Sequence, residues 1–324
     1  MASEDFPDLS ANAIAVLRHR YLIRDESSQA LETPDELFSR VASNVAAANR
    51  LYDDDRSEAH EEGEFYRAMR RLEFLPNSPT LMNAGTQLQQ LAACFVIPIE
   101  DSIESIYEAV KSAAIIHQSG GGTGFSFSRL RPQGDIVRST SGIASGPVSF
   151  MRVFDAATEA IKQGGRRRGA SMGILRVDHP DIEAFIHCKD DLRSLTNFNI
   201  SIGVTDDFMA RAKQRQEYDL VNPRTGQPVA RRDASSILDQ ICSSALRTGD
   251  PGMVFLDTIN ASNPTPEQGP IEATNPCGEV PLLPFEACNL GSINLDKMLV
   301  EDGVWRLDWE KLDRTVDLAV RFLD

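Results

Sequence analysis

Ser171-Met-Gly-Ile-Leu-Arg-Val177 followed by Asp181-Ile-Glu-Ala-Phe-Ile-His-Cys188 is the stretch on which the fold turns. A short apolar run gives way to a segment with helical spacing, and Pro180 with Asp181 stands where a helix opens. The same couplet recurs on both sides: residues 91–99 before 102–117, 124–130 before 147–162, and 198–204 before 206–214. Strands alternating with helices at this interval predict an α/β fold, a largely parallel sheet covered by helices, either open or closed into a barrel. Asp101 or Ser102 is placed to cap the helix 103–116, with Glu104 and Ser105 in its first turn.

Outward from this region the texture changes. Residues 1–75 are the most charged and read as a small helical region, with Ala/Leu-rich stretches at 37–51 and 64–72 around an acidic separator, 53–62. Residues 76–324 form the α/β portion. Beyond Pro251 the pattern is irregular, and Pro264, Pro266, Pro270, Pro276, Pro281 and Pro284 crowd a stretch that also holds Cys277 and Cys288. That composition predicts a shaped loop. At the end, Leu312, Val316, Ala319, Val320 and Leu323 recur at helical spacing with no C-cap glycine. The helix reads as cut off, and the folded unit is expected to continue in another polypeptide or in a part absent from this chain.

The 324 residues are 41% hydrophobic and 25% charged, enough to bury a core and unlike a disordered, collagenous or disulfide-stapled chain. The formal net charge of −15 repels polyphosphate backbones, so direct nucleic-acid binding is not expected. No apolar run of about 18 residues occurs, and the acidic start lacks a secretory pattern. A cytoplasmic protein without membrane contact is expected. The five cysteines, Cys94, Cys188, Cys242, Cys277 and Cys288, form no CxxC pair, so no metal site is expected. Cys188 and Cys242 fall on apolar positions of amphipathic helices and read as core. Taken singly, Cys94 and Cys288 read the same way.

Three motifs carry candidate chemistry. Ser119-Gly-Gly-Gly-Thr-Gly124 runs from helix into strand, the reverse of a dinucleotide loop, and reads either as a tight turn or as a place of close backbone approach. Gln163-Gly-Gly-Arg-Arg-Arg-Gly169 concentrates guanidinium forks suited to phosphate, or else is a solvated connector. Asn275-Pro-Cys-Gly-Glu279 sets an amide and a carboxyl two residues to either side of a thiol in a rigid turn. A carboxylate can move a hydroxyl proton, an amide can orient a second hydroxyl, and a thiol can be nucleophile, redox group or radical carrier. No cationic neighbour in sequence favours thiolate there, which points toward a one-electron role.

Together with Asn77-Ser-Pro-Thr-Leu-Met-Asn-Ala-Gly85, Ala93-Cys94, Asp101-Ser-Ile-Glu-Ser105 and the segments 120–127, 164–175 and 288–295, these motifs resemble the catalytic subunit of ribonucleotide reductase. The wording is most similar to the class II branch, which depends on adenosylcobalamin, and the resemblance runs from about Pro76 to the last residue. It implies the N-terminal half of a ten-stranded α/β barrel, with a finger loop carrying a radical cysteine through its centre. It maps the radical carrier onto Cys277, the proton-exchanging groups onto Asn275 and Glu279, and the redox pair onto Cys94 and Cys288. Substrate contacts fall on Ser78, Ala93, Cys94, Gly122, Asn275, Pro276, Cys277, Gly278 and Glu279, with Ala93 offering backbone only.

The same resemblance implies an allosteric site for a deoxynucleoside triphosphate or ATP at Asp101, Ser102, Ile103, Arg131 and Arg138. Gln163, Gly164, Gly165, Arg166, Arg167, Arg168 and Gly169 would form the loop that reports the effector to the substrate. Implied partners are a ribonucleoside di- or triphosphate substrate, a thioredoxin-like reductant, a second copy in a homodimer, and the missing C-terminal half. Two rival readings are a class I-type large subunit served by a separate radical-generating subunit and an inactive nucleotide-binding fragment. A thiol hydrolase is a third. All reductase readings require the sulfur of Cys94 to meet those of Cys277 and Cys288.

Overall fold

The computed structural model of the chain describes residues 9–51, 57–137, 142–161 and 169–324. Arg138, Gln163, Gly164, Gly165, Arg166, Arg167 and Arg168 therefore lie outside the described residues. The rest divides into two compact units, one made of the residues up to Ala93 with Asn289–Asp324, the other of Cys94–Cys288.

The first unit is mainly helical. Helix α1 spans Ala11–Arg20, α2 spans Pro34–Ala46 and α3 spans Glu58–Arg70. Thr33 and Glu36 form a reciprocal capping box at the start of α2, with Pro34 in the first turn. Leu37, Phe38, Val41 and Ala42 of α2 pack with Phe65 and Met69 of α3 in one apolar cluster. The helix Trp309–Leu323 joins them through Leu318, Ala319 and Phe322, and the Phe322 ring lies edge-on to Phe65 at 5.0 Å and Phe74 at 5.3 Å. Strand Phe74–Pro76 pairs antiparallel with Gly291–Ile293 beside them.

The second unit is built on a six-stranded sheet. Its strands are β1 (Cys94–Val96), β2 (Gly122–Ser126), β3 (Ser171–Arg176), β4 (Phe198–Val204), β5 (Gly252–Phe255) and β6 (Ala287–Cys288), in the order β5-β4-β3-β2-β1-β6. The first five are parallel neighbours in chain order, and β6 closes the edge antiparallel to β1. With the parallel strands in sequential order, the helices that follow them pack together on one face of the sheet, as in the wall of a barrel rather than in a doubly wound sheet. The fold class is thus the expected one. Five parallel strands correspond to one half of the ten-stranded barrel.

Helices α4 (Ile103–Gln118), α5 (Pro147–Ile161), α6 (Ile182–Ile186), α7 (Asp206–Gln214) and α8 (Ala234–Thr248) follow the strands. Phe125, Leu175, Phe198, Ile200 and Ile202 pack against Ile106, Phe154, Phe185, Phe208 and Ile237 of these helices. Phe125 and Phe154 meet at 4.8 Å, and burying one such ring stabilises the fold by about 2 kcal/mol. The opposite face carries Val96, Met172, Ile174 and Val254 and is covered by Ala273 and Leu282. Both faces being buried explains why these strands read as near-continuous apolar runs.

Several expectations need correction. Strand 91–99 shortens to Cys94–Val96, in keeping with Pro98, which has no N–H for a ladder. Strand 124–130 is Gly122–Ser126. The helix 181–188 is only Ile182–Ile186, and the Asp181 side chain makes no cap but accepts the Gln133 N–H at 2.8 Å. Cys188 therefore follows the helix, packed against the core, where burial pushes its thiol up to about 12. Cys242 is exposed, not core: α8 turns Ile237 and Ile241 inward, and the next residue lies about 100° further round. Helix α3 begins at Glu58, inside the acidic separator, capped by Ser57. On Trp309–Leu323 the buried stripe is Thr315, Leu318, Ala319 and Phe322, leaving Val316 and Val320 exposed. The region beyond Pro251 opens with a regular strand, β5.

Candidate active site

The segment Asn275–Glu279 sits at the tip of a hairpin. Ala273–Thr274 pairs antiparallel with Pro281–Leu282, and Asn275 N–H donates to the Val280 carbonyl at 3.1 Å. Gly278 N–H returns to the Asn275 carbonyl at 3.1 Å, making residues 275–278 a four-residue turn. Proline at its second position fixes φ, and Gly278 takes φ +86°. Cys277 is not among the residues with positive φ, so the turn has type I rather than type II character. The Asn275 amide oxygen accepts Val280 N–H at 3.0 Å, locking the tip from within.

Two glycines of β2 let this hairpin lie on the sheet. A Cβ on Gly124 would fall 1.7 Å from the Thr274 carbonyl oxygen, and one on Gly122 would fall 2.6 Å from Cγ of Pro276. Close backbone approach is thus the role of these glycines, and what approaches is the chain's own hairpin. From β4, the Asn199 amide donates to the Pro276 carbonyl at 2.7 Å.

The sheet register assembles the sulfurs. Cys288 of β6 stands directly opposite Cys94 of β1, which is itself in register with Gly122. The Cys288 thiol is hydrogen-bonded with Cys94, and this bond, then burial, then the charges of Cys94 and Glu279 hold it well above the ordinary thiol range. Buried Asn275 donates from its amide to Cys94 Sγ at 3.5 Å. Cys277 and Glu279 are exposed at the hairpin tip. Two thiols positioned to form a disulfide, an amide on one of them, and a third thiol and a carboxylate on the same hairpin are a set able to move hydrogen, protons and two electrons.

Ala93 is buried immediately before Cys94. Ser78 begins the helix Ser78–Asn83 in the helical unit, where its hydroxyl meets the Tyr21 hydroxyl at 2.9 Å. Asp101, Ser102, Ile103 and Arg131 line one cavity of about 400 Å³ at the N-terminus of α4. Asp101 accepts from Arg131 Nε at 2.8 Å and from its backbone N–H at 3.1 Å, while the Ser102 hydroxyl caps the helix by accepting Ser105 N–H at 3.1 Å. At the other end of α4, buried His117 bonds Thr123 Oγ1 through Nε2 at 2.9 Å, and burial lowers its pKa to about 4. A Cβ on Gly169 would lie 2.6 Å from the His117 ring.

Asn199 and His117 escaped the sequence reading. Asn199 left one trace, a polar residue alternating, with Ser201, between the apolar Phe198, Ile200 and Ile202.

Residues 92–324 match the family model described as ribonucleotide reductase, barrel domain, and residues 7–89 match ribonucleotide reductase, all-alpha domain. A vitamin B12-dependent ribonucleoside-diphosphate reductase of Mycobacterium tuberculosis (strain CDC 1551 / Oshkosh) is 55% identical over 317 residues, covering 98% of this chain and 45% of that protein. One from Thermoplasma acidophilum is 48% identical over 379 aligned residues, 100% of this chain and 49% of the relative. A ribonucleoside-diphosphate reductase subunit alpha of Chlamydia muridarum is 29% identical over 95% of this chain and 32% of its own length. The chain spans about half the length of the B12-dependent relatives described here.

Proposed function

The chain belongs to the ribonucleotide reductase family, and from that premise we propose that it is the thiol-bearing part of an enzyme that reduces ribonucleoside diphosphates to 2′-deoxyribonucleotides. The observation that carries this reading is the Cys94–Cys288 register pair with the Asn275 amide on Cys94 and Cys277 on the same hairpin. A thiyl radical on Cys277 takes hydrogen from C3′ of the ribose. Glu279 accepts the 3′ hydroxyl proton, the 2′ hydroxyl leaves as water, and Asn275 orients a hydroxyl by hydrogen bonding. Cys94 and Cys288 supply two electrons and two protons, closing a disulfide as C2′–OH becomes C2′–H. Cys277 returns its hydrogen to C3′, and a thioredoxin-like reductant reopens the disulfide.

Adenosylcobalamin, when bound, supplies the one-electron oxidation of the Cys277 thiol. The exposure of Cys277 at a hairpin tip suits a radical source delivered from outside this segment. Higher identity to the B12-dependent relatives than to the Chlamydia muridarum subunit alpha favours cobalamin over a separate radical-generating subunit. Ser78, Ala93, Gly122, Pro276 and Gly278 complete the proposed substrate contacts, within a portion taken as residues 76–324 behind a helical leader, 1–75.

The cavity at Asp101, Ser102, Ile103 and Arg131 is the proposed effector site. A helix N-terminus there offers N–H donors to phosphate, with Arg138 and the loop 163–169 relaying the choice of base. No helix among the described residues is long and apolar enough to cross a membrane, and we place the enzyme in the cytoplasm, as a homodimer completed by a C-terminal half. In the full-length enzyme, Cys277→Ser is expected to abolish reduction of cytidine diphosphate while deoxynucleotide binding stays unchanged. Residual turnover at the wild-type rate would refute the radical assignment.

A further inference from the structure

The geometry points to Asn199 as a positioning residue that holds the Cys277 sulfur in one of two available turn states. In the turn 275–278 the closing bond uses the Asn275 carbonyl and Gly278 N–H. The central peptide, Pro276–Cys277, has no role in that closure, and its carbonyl needs a partner from elsewhere. Asn199 Nδ2 supplies it at 2.7 Å.

Fixing that oxygen fixes the plane of the peptide that leads into Cys277, and with it the direction of the Cys277 Cα–Cβ bond. Turning the same peptide over would convert the turn to type II and carry Cys277 to positive φ. Proline at its second position suits both states, while the Cβ of Cys277 disfavours the positive φ of type II without forbidding it. The bond from β4 adds to that preference. It exists only while the Pro276 carbonyl faces the sheet, so it disappears on flipping.

Packing alone does not call for an amide at this position. Asn199 is exposed, while Phe198 and Ile200 on either side of it supply the buried contacts of β4. Its register partner on β3 is Met172, whose Cε is the one atom within 4 Å of where a Gly278 side chain would begin, at 3.8 Å. The pair Met172 and Asn199 therefore lies beneath the tip, and the amide reads the orientation of its central peptide. Asn275 and the two β2 glycines hold the hairpin down. Asn199 sets which way its tip faces.

This rests on Cys277 being the reacting thiol, but the two claims fail separately. Asn199→Ala and Asn199→Asp remove the donor, the second with almost no change of shape. Competitive alkylation of the chain by iodoacetamide reads the rate at Cys277 against Cys242, both exposed thiols. The Cys277 to Cys242 ratio is expected to change by about threefold or more in both variants, with urea unfolding unaltered. In the full-length enzyme, kcat for cytidine diphosphate falls by about tenfold or more with KM and deoxynucleotide affinity unchanged. An unchanged labelling ratio in a folded variant overturns the proposal, as does a raised KM at unchanged kcat, which would make Asn199 a substrate contact. Neither result bears on Cys277→Ser, whose effect on turnover tests the reaction itself.

Discussion

At the scale of single residues, the catalytic candidates and the groups that place them differ in how they can be read. Asn275, Cys277 and Glu279 are legible because they lie in and directly after one turn, and the turn chemistry of proline and glycine announces itself locally. Asn199 is not legible, because its partner is 77 positions away and nothing nearby marks a carbonyl in need of a donor. His117 is similar: it looks like the end of an amphipathic helix, yet it sits buried between Thr123 and Thr158 as a neutral imidazole. Its folded pKa of about 4 lies below the ordinary 6.5, chiefly through burial, so the unfolded chain binds the proton more readily. The stability tied to this neutral ring is complete above about pH 6.5 and is lost as pH falls toward about 4, on the order of 3 kcal/mol. Buried His179 is shifted in the same direction by burial and adds to the loss. Urea midpoints should fall between about pH 7 and pH 5, and His117→Gln should flatten that dependence; an identical slope in the variant would show that the ring does not titrate on unfolding.

At the scale of elements, strands β3 and β4 were readable to within a residue, because five or more buried positions in each, most of them apolar, leave a strong signal. Strands β1, β5 and β6 were not, since each is four residues or shorter and takes its shape from neighbours distant in sequence. The pairing of β6 with β1 is the consequence that matters, because no local pattern predicts that Cys288 will oppose Cys94. Directly opposed residues of antiparallel strands have Cα atoms about 4.5–5.5 Å apart, inside the roughly 4.4–6.8 Å that a disulfide spans. Treating the chain with diamide should therefore remove two of its five thiols and yield a Cys94–Cys288 cross-linked peptide on mass mapping. Because the Cys288 thiol is held above its ordinary range, first by its bond with Cys94, the oxidation should speed up as pH rises. Cross-links that instead join Cys277 or Cys242 would count against the assigned redox pair.

At the scale of the whole molecule, the packing of Trp309–Leu323 on the first helices leaves no mark in composition or periodicity. That contact depends on Phe322 meeting Phe65 and Phe74, more than 240 residues away in the chain, and only the folded chain reveals it. On the proposed reading, the source of the radical is the property decided at this scale. The three cysteines, the amide and the carboxylate would carry hydrogen transfer, proton transfer and two-electron reduction, and none of these groups starts a one-electron step. The starting oxidant would then reach Cys277 from beyond the hairpin tip, either as a cofactor or as a second subunit. Relatives of both kinds share this segment, at 55% and 48% identity for the B12-dependent enzymes and 29% for the subunit alpha. The full-length enzyme containing this chain should therefore reduce cytidine diphosphate only when adenosylcobalamin is added, with no gain from a metal-bearing radical subunit. Turnover that ignores the cobalamin and requires such a subunit would reverse the choice while leaving the roles of Cys94, Cys277 and Cys288 intact, because those roles begin only once the sulfur of Cys277 has lost its electron.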